Sequence, residues 1–255
     1  MASGSRRPIP LFKDRDARAT TLQELLDQRA QPGELWHPEG DDGSVRCTAC
    51  GHLCLIRPGR RGICKVRFNR NGTLYAPRGY AAGIQVDPTE KKPFYHVLPG
   101  SDCLTFGMLG CDFHCAYCQN WLTSQALRDP EAGTPTTDVS PETLIRLGRQ
   151  HGARVVASSY NEPLITSEWA MEIFRLARPA GFKTAFVSNG NATPQVLDYI
   201  RPYEGLRVPR GALDALLRRS REQRRNLVVG RSGRLQLLRA IPAAGGSAGR
   251  DPAGA

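Results

Sequence analysis

The chain has no run of eighteen consecutive apolar residues, so the sequence predicts no transmembrane helix. Its opening, MASGSRRPIPLFKDRDARATTLQELL, has no apolar stretch of the kind a secretory signal requires, and the expected compartment is the cytoplasm. Aromatic residues are scarce, at 7% of the chain. Beyond Glu204 several residue types vanish: there is no Lys, His, Cys, Phe, Tyr or Trp. That stretch holds eleven Arg against Asp214, Glu222 and Asp251, so it carries eight of the eleven net positive charges. The basic character therefore belongs mostly to the tail, which argues against a general nucleic-acid surface. With few aromatics among the tail arginines, stacking on single strands is poorly supported, and nucleic acid is not an expected partner.

What the chain does have is eight cysteines and 40% apolar residues, enough to bury a core. In a chain with no secretory signal, such cysteines read as metal ligands rather than disulfides. They fall into two groups. Residues 1–100 form an N-terminal region with a cysteine-rich module at 47–64, CTACGHLCLIRPGRRGIC. Cys47, Cys50, Cys54 and Cys64, with His52 among them, suit a closed structural zinc site or a second iron–sulfur cluster. Asn71-Gly72 then marks a hairpin between short alternating segments.

Residues 101–203 turn regular. CLTFGMLG, ARVVASSY and FKTAFVSNG read as buried strands. SPETLIRLGRQHG reads as a helix capped by Ser140 and stopped by Gly152, and TSEWAMEIFRLARPAG as one presenting Trp169, Ile173 and Leu176 on one face. TPQVLDYIRPY opens a third helix at Thr193 and Pro194. Strand and helix alternate as in parallel βα units, whose functional loops lie at the C-terminal ends of the strands. Three loops qualify: 111–120, 160–163 and 188–191.

The first of these is CDFHCAYCQN, with Cys111, Cys115 and Cys118 spaced C-x3-C-x2-C. Three thiols on one loop suit a cubane iron–sulfur cluster in which one iron is left open, and an open coordination position is the mark of catalytic metal binding. Zinc with His114 as fourth ligand is the blander alternative, made awkward because His114 directly precedes Cys115. Cys103 is a conceivable fourth thiol, but it lies one strand length upstream.

The spacing, with Tyr117 just before the last cysteine, resembles the radical S-adenosylmethionine (SAM) superfamily. The resemblance implies a partial parallel (β/α) barrel, an α/β fold, preceded by the cysteine module. It also implies a [4Fe-4S] cluster held by Cys111, Cys115 and Cys118, with SAM chelated on the open iron. Reductive cleavage of SAM would yield a 5′-deoxyadenosyl radical that abstracts hydrogen from a substrate, making the chain an enzyme that needs an electron donor. Residue by residue, Glu162 and Asn161 stand where a Gly-Gly-Glu-like motif meets the SAM amino group, although Tyr160 and Asn161 replace its glycines. Ser188 and Asn189 are similar to residues that reach the methionyl carboxylate or ribose, and Tyr117 to one near the adenine.

The cysteine module, EKKPFYHVLPGS and YNEP together resemble the radical SAM enzymes of the AmmeMemoRadiSam system, relatives of the pyruvate formate-lyase activating enzymes. Memo-like and AMMECR1-like proteins are then the implied partners. Where the family continues with further strands, residues 204–255 shift to Arg, Gly, Ala and Pro, a tail expected to be disordered apart from one conceivable basic helix, ALDALLRRSREQRRNLVV. The shift reads as a truncation or frameshift near residue 204, with exposed sheet edges as its consequence. The competing readings are an inactive truncated iron–sulfur scaffold, and a zinc-binding nucleic-acid module whose binding would weaken steeply with salt.

Overall fold

The computed structural model describes residues 21–92, 94–129 and 133–203, together with two strands at 226–229 and 236–238. Helix α1 (Leu22–Arg29) opens on a reciprocal cap. The Thr21 hydroxyl accepts from the Glu24 N–H, and the Glu24 carboxylate accepts from the Thr21 N–H, satisfying two otherwise orphaned donors.

Six short strands follow: β1 (Gln31–Pro32), β2 (Trp36–Pro38), β3 (Val45–Cys47), β4 (Leu55–Ile56), β5 (Phe68–Arg70) and β6 (Thr73–Ala76). They make two small antiparallel sheets, β2–β3–β4 and β1–β6–β5. Between β5 and β6, Asn71 and Gly72 take φ of +52° and +80°, the paired left-handed conformation of a two-residue hairpin turn. The cysteine module threads through this region. Cys47 ends β3, and Cys50 and Cys54 lie in the turn before β4.

Strand β7 (Tyr80–Ala81) leads into β8 (Gly83–Pro88), which pairs antiparallel with β9 (Asp102–Gly107). Then come α2 (Trp121–Ser124), β10 (Thr137–Asp138, paired with β7), α3 (Pro141–Gln150), β11 (Val155–Ser158), α4 (Ser167–Ala177), β12 (Lys183–Ser188) and α5 (Pro194–Ile200). Ser140 and Thr193 cap α3 and α5 through bonds from the Thr143 and Val196 N–H groups. Strands β9, β11 and β12 are parallel and in one register, Val155 facing Cys103 on one side and Lys183 on the other.

The sheet is open rather than closed, in the order β14–β13–β12–β11–β9–β8, where β13 is Asn226–Val229 and β14 is Gln236–Leu238. Both edges of the parallel core expected to be bare are therefore paired, by β8 on one side and by the antiparallel β13–β14 ladder on the other. The NLVV segment of β13, expected at the end of a basic helix, is instead a strand, in keeping with its two adjacent β-branched valines. The rest of that expected helix, and of the expected disordered tail, lies outside the described residues.

Alternation along the strands assigns the two faces. Leu104, Phe106, Val156 and Phe186 pack under the helices, where Phe174 of α4 meets Phe106 and Phe186 edge to face at 6.2 and 5.1 Å. Trp169 and Ile173 are buried with them, whereas Leu176 is 38% exposed, and Ala170, Phe174 and Ala177 complete the buried stripe. On the opposite face, Cys103, Val155, Ala157 and Ala185 are covered by Phe94, Val97 and Leu98. The segment between β8 and β9 that carries Phe94, Val97 and Leu98 is thus part of the core. Among the described residues no helix is long and apolar enough to cross a membrane.

Candidate functional site

Because β9, β11 and β12 run parallel, their three C-terminal loops emerge at one edge of the sheet, and the tertiary structure joins them there. The chain leaves β9 through Gly110, whose φ is +93° and whose Cβ, if it had one, would stand 2.8 Å from the Cys64 carbonyl oxygen and from Val66 Cγ1. Glycine is required here twice over, for the left-handed backbone and for the approach of the cysteine module. Cys111 follows, accepting from the Phe113 N–H at 3.4 Å.

Cys111, Cys115 and Cys118 are all half-buried. The Cys118 sulfur lies 3.3 Å from the Ser124 hydroxyl of α2, and the Arg128 guanidinium donates to the Cys111 carbonyl at 3.1 Å. The Gln125 amide braces the loop from inside by donating to the Phe113 carbonyl at 3.0 Å. Its oxygen pairs with His114 Nδ1 at 2.8 Å, and the His114 ring stands edge-on to Trp121. His114 is thereby engaged as a loop strut. Cys103 lies at the opposite end of β9 from the loop, fully buried, its sulfur 3.6 Å from the Thr105 hydroxyl. Tyr117 is 68% exposed, and Leu122 of α2 is exposed as well.

At the end of β11, Tyr160 is held at φ +72°, a costly conformation for a bulky residue. Its phenol meets the Lys92 ammonium at 3.4 Å, and its carbonyl accepts from the Thr123 hydroxyl at 3.0 Å. Asn161 turns back toward β9, accepting from the Met108 N–H at 3.0 Å and donating to the Glu162 carbonyl. Its amide oxygen is thus taken up in joining two strand ends. Glu162 is buried and points at the end of β12. Its Oε1 accepts from the Ser188 hydroxyl at 2.7 Å and from the Leu164 N–H at 3.0 Å, and its Oε2 accepts from the Asn189 N–H at 2.8 Å. Glu162, Ser188 and Asn189, separated by 26 and 27 positions in sequence, form one bonded unit.

Sequence reasoning missed Asp112. Its side chain is fully buried, and its two oxygens accept from the Asn189 and Asn191 amides, each at 2.8 Å. The one signal available was its place immediately after the first cysteine. Burial first, and the charge of Asp112 second, push the Glu162 carboxyl well above the usual carboxylate range. Burial, then the Glu162 charge, pushes the Cys111 thiol up likewise. The site thus crowds buried carboxylates beside a thiol, and metal binding must expel thiol protons.

The upstream module packs directly against this loop. Cys47, Cys50 and Cys64 are buried, Cys54 partly, and they lie close enough for Cys47 to act electrostatically on each of the other three. Backbone N–H groups point at the sulfurs: His52 at Cys50, Ile63 at Cys54, Val66 and Arg67 at Cys64. Burial pushes the Cys64 thiol up to about 12. Among the described residues no group of three or more His, Cys, Asp and Glu side chains is gathered at metal-binding geometry, in either cysteine group. The donor set of the 111–118 loop nevertheless fits an iron–sulfur cluster: three half-exposed thiols on one braced loop, a backbone N–H aimed at the first sulfur, and carboxylates beside it.

An uncharacterized protein of Methanocaldococcus jannaschii is 32% identical over 157 residues, covering 61% of this chain and 46% of that protein. The chain thus spans about half the length of the curated relative it matches. No solved structure matches. The family model described as Radical SAM superfamily matches residues 106–247, from the end of β9 across the three strand-end loops and on past the change of composition at residue 204. Matched over more than half its length and carrying the three-cysteine loop where the parallel strands end, the chain belongs to the radical SAM superfamily.

Proposed function

We propose that this chain cleaves SAM reductively and directs the resulting radical at a substrate. The observation that carries the reading is the convergence of the three-thiol loop with Glu162, Ser188 and Asn189 at one sheet edge. When bound, the cluster supplies the electron that breaks the sulfonium S–C5′ bond. Cys111, Cys115 and Cys118 are the residues that would hold it. Glu162, buried with its lone pairs directed by three donors, is suited to receive a ligand ammonium, and a cation there offsets the crowding of Glu162 and Asp112. Ser188 and Asn189 hold Glu162 in place, Asn161 keeps the β11 loop against β9, and the exposed Tyr117 ring is available to an adenine. Thr123, Gln125 and Arg128 brace the loop.

Within the superfamily, the cysteine module and the YNEP loop support placement among the AmmeMemoRadiSam enzymes, with Memo-like and AMMECR1-like partners and a separate electron donor. The module itself is proposed to hold zinc or a second iron–sulfur cluster. The electrostatic reach of Cys47 to the other three thiols, and the N–H donors aimed at those sulfurs, support this. Metal analysis of the Cys111→Ala, Cys115→Ala, Cys118→Ala triple variant isolates that site: zinc or iron retained there identifies its occupant, and none retained rejects the assignment.

The central test is anaerobic. The chain is reconstituted with iron and sulfide, reduced in the presence of SAM, and 5′-deoxyadenosine is quantified. Product well above the triple variant is expected. A loaded cluster that forms no product would favour the alternative of an inactive iron–sulfur scaffold.

A further inference from the structure

We propose that Asp112 is the positioning residue of the SAM site, fixing the amide orientation of Asn189 and Asn191 so that the β12 loop is locked onto Glu162. The inference rests on the radical SAM reading of the preceding section. A carboxylate with a fully buried side chain is tolerated only when its oxygens are hydrogen-bonded. The bonds that satisfy it therefore point to what it holds. Asp112 Oδ1 takes the Asn189 amide and Oδ2 takes the Asn191 amide, each at 2.8 Å.

The Asn189 amide cannot turn over freely. The Asn189 Oδ1 already accepts from the Asn191 N–H at 2.9 Å, and a flip would aim that oxygen at the carboxylate. With its side chain so held, the Asn189 main-chain N–H donates to Glu162 Oε2 at 2.8 Å. An unbroken path of bonds runs from the residue after Cys111, through Asn189, to the carboxylate assigned to the ligand ammonium.

The cysteine module enters the same knot from the other side. His52 Nε2 lies 3.1 Å from the Asp112 carbonyl, and the Gly51 N–H donates to the Asn191 carbonyl at 2.8 Å. Three separate segments, at 51–52, 111–112 and 189–191, thus meet at Asp112, the first through main-chain carbonyls and the last through the buried carboxylate. Loosening it would release the β12 loop that aligns Glu162 and the cysteine loop with a bound ligand.

The test uses the full chain, reconstituted anaerobically and left oxidised so that SAM is not cleaved, with SAM binding measured by calorimetry. Asp112→Asn turns one acceptor into a donor facing an amide, so SAM affinity is expected to fall about 10-fold to 100-fold, with iron and sulfide content unchanged. Asp112→Asn combined with Asn191→Asp re-pairs the site, since the new amide donates to the new carboxylate while still accepting from Asn189. That double variant is expected to recover affinity to within a few-fold, which a general folding role would not produce.

Asp112→Asn binding SAM like the wild type overturns the proposal. So does a double variant that loads its cluster and does not recover, because the charge at position 112 itself would then be what matters. If Asp112→Asn fails to load iron, Asn191→Ala decides. Weaker SAM binding with full iron supports the proposal, and unchanged binding overturns it. A wild-type protein that loads its cluster and binds no SAM overturns the radical SAM reading, and this proposal with it.

Discussion

Replacing Glu168 by Gln tests how the cysteine module is fastened to the sheet. Glu168, at the first turn of α4, and Arg67, three residues past Cys64, form a bidentate pair with both bonds at 2.8 Å and essentially no exposure. Arg67 also donates to the Ile165 carbonyl at 3.1 Å, and Glu168 accepts from the Glu34 N–H at 3.2 Å. One ion pair thereby joins the module, the start of β2 and α4. Burial alone would raise the Glu168 carboxyl, but the Arg67 charge and hydrogen bonds outweigh it and hold the group below its ordinary range. Removing one partner of such a pair leaves an uncompensated buried charge and costs about 3–5 kcal/mol.

For a chain of this size that corresponds to a fall in melting temperature of roughly 6–20 °C. Arg67→Met with Glu168→Leu, which removes both charges and refills the space, is expected to recover most of the loss. Thermal and urea unfolding of the reduced chain, followed by far-UV circular dichroism, measure both. The depressed carboxyl also sets a sign. Its contribution is complete above the ordinary Glu range near pH ~4.3 and is lost as pH falls through the lower folded value. A Glu168→Gln protein within about 1 kcal/mol of the wild type, or a double variant as unstable as the single, would refute the reasoning.

Gly107→Ala would place a Cβ 2.3 Å from the Ser159 carbonyl oxygen and 2.8 Å from Tyr160 Cβ, so backbone must move. A loss of about 2–4 kcal/mol is expected, read from the urea midpoint, and an unchanged midpoint would contradict the packing described. Glu162, raised chiefly by burial, is neutral at the acid side of its window, so its contribution to stability declines as pH climbs from the ordinary Glu range toward the raised value. Binding a ligand ammonium there should expel a proton, and SAM affinity should improve across that window. Calorimetry in buffers of different ionisation enthalpy detects the proton, and Glu162→Gln should abolish both effects. Cys103→Ala should retain its full complement of iron, because that thiol lies at the far end of β9 from the cluster loop; iron loss would reinstate it as a ligand.

The local elements were readable because their signals are local. The caps at Ser140 and Thr193, the Asn71-Gly72 turn and the strands ending at Gly107, Ser158 and Ser188 each follow from residues within a few positions of one another. That the loops carrying Cys111, Cys115, Cys118 and Glu162 follow strand ends was legible from the local pattern. Asp112 was not, since its meaning lies in amides some eighty residues away. Nor was the paired state of both sheet edges, because antiparallel addition of β8 and β13 depends on long-range register rather than on any motif. Leu176 shows the same limit, its helical phase matching Trp169 and Ile173 while it remains exposed.

By itself, then, the sequence determined the chemistry on offer: three thiols on one loop, four more upstream, and carboxylate and amide side chains placed where strands end. Those choices are made by residue type and short-range spacing. Only the tertiary structure decided which of these groups meet. Parallel pairing of β9, β11 and β12 brings their loops to one edge, where burial pairs Glu162 with Ser188 and Asn189 and brings the cysteine module against Asp112. Strand pairing and burial act between residues distant in the chain, and there the decision was made.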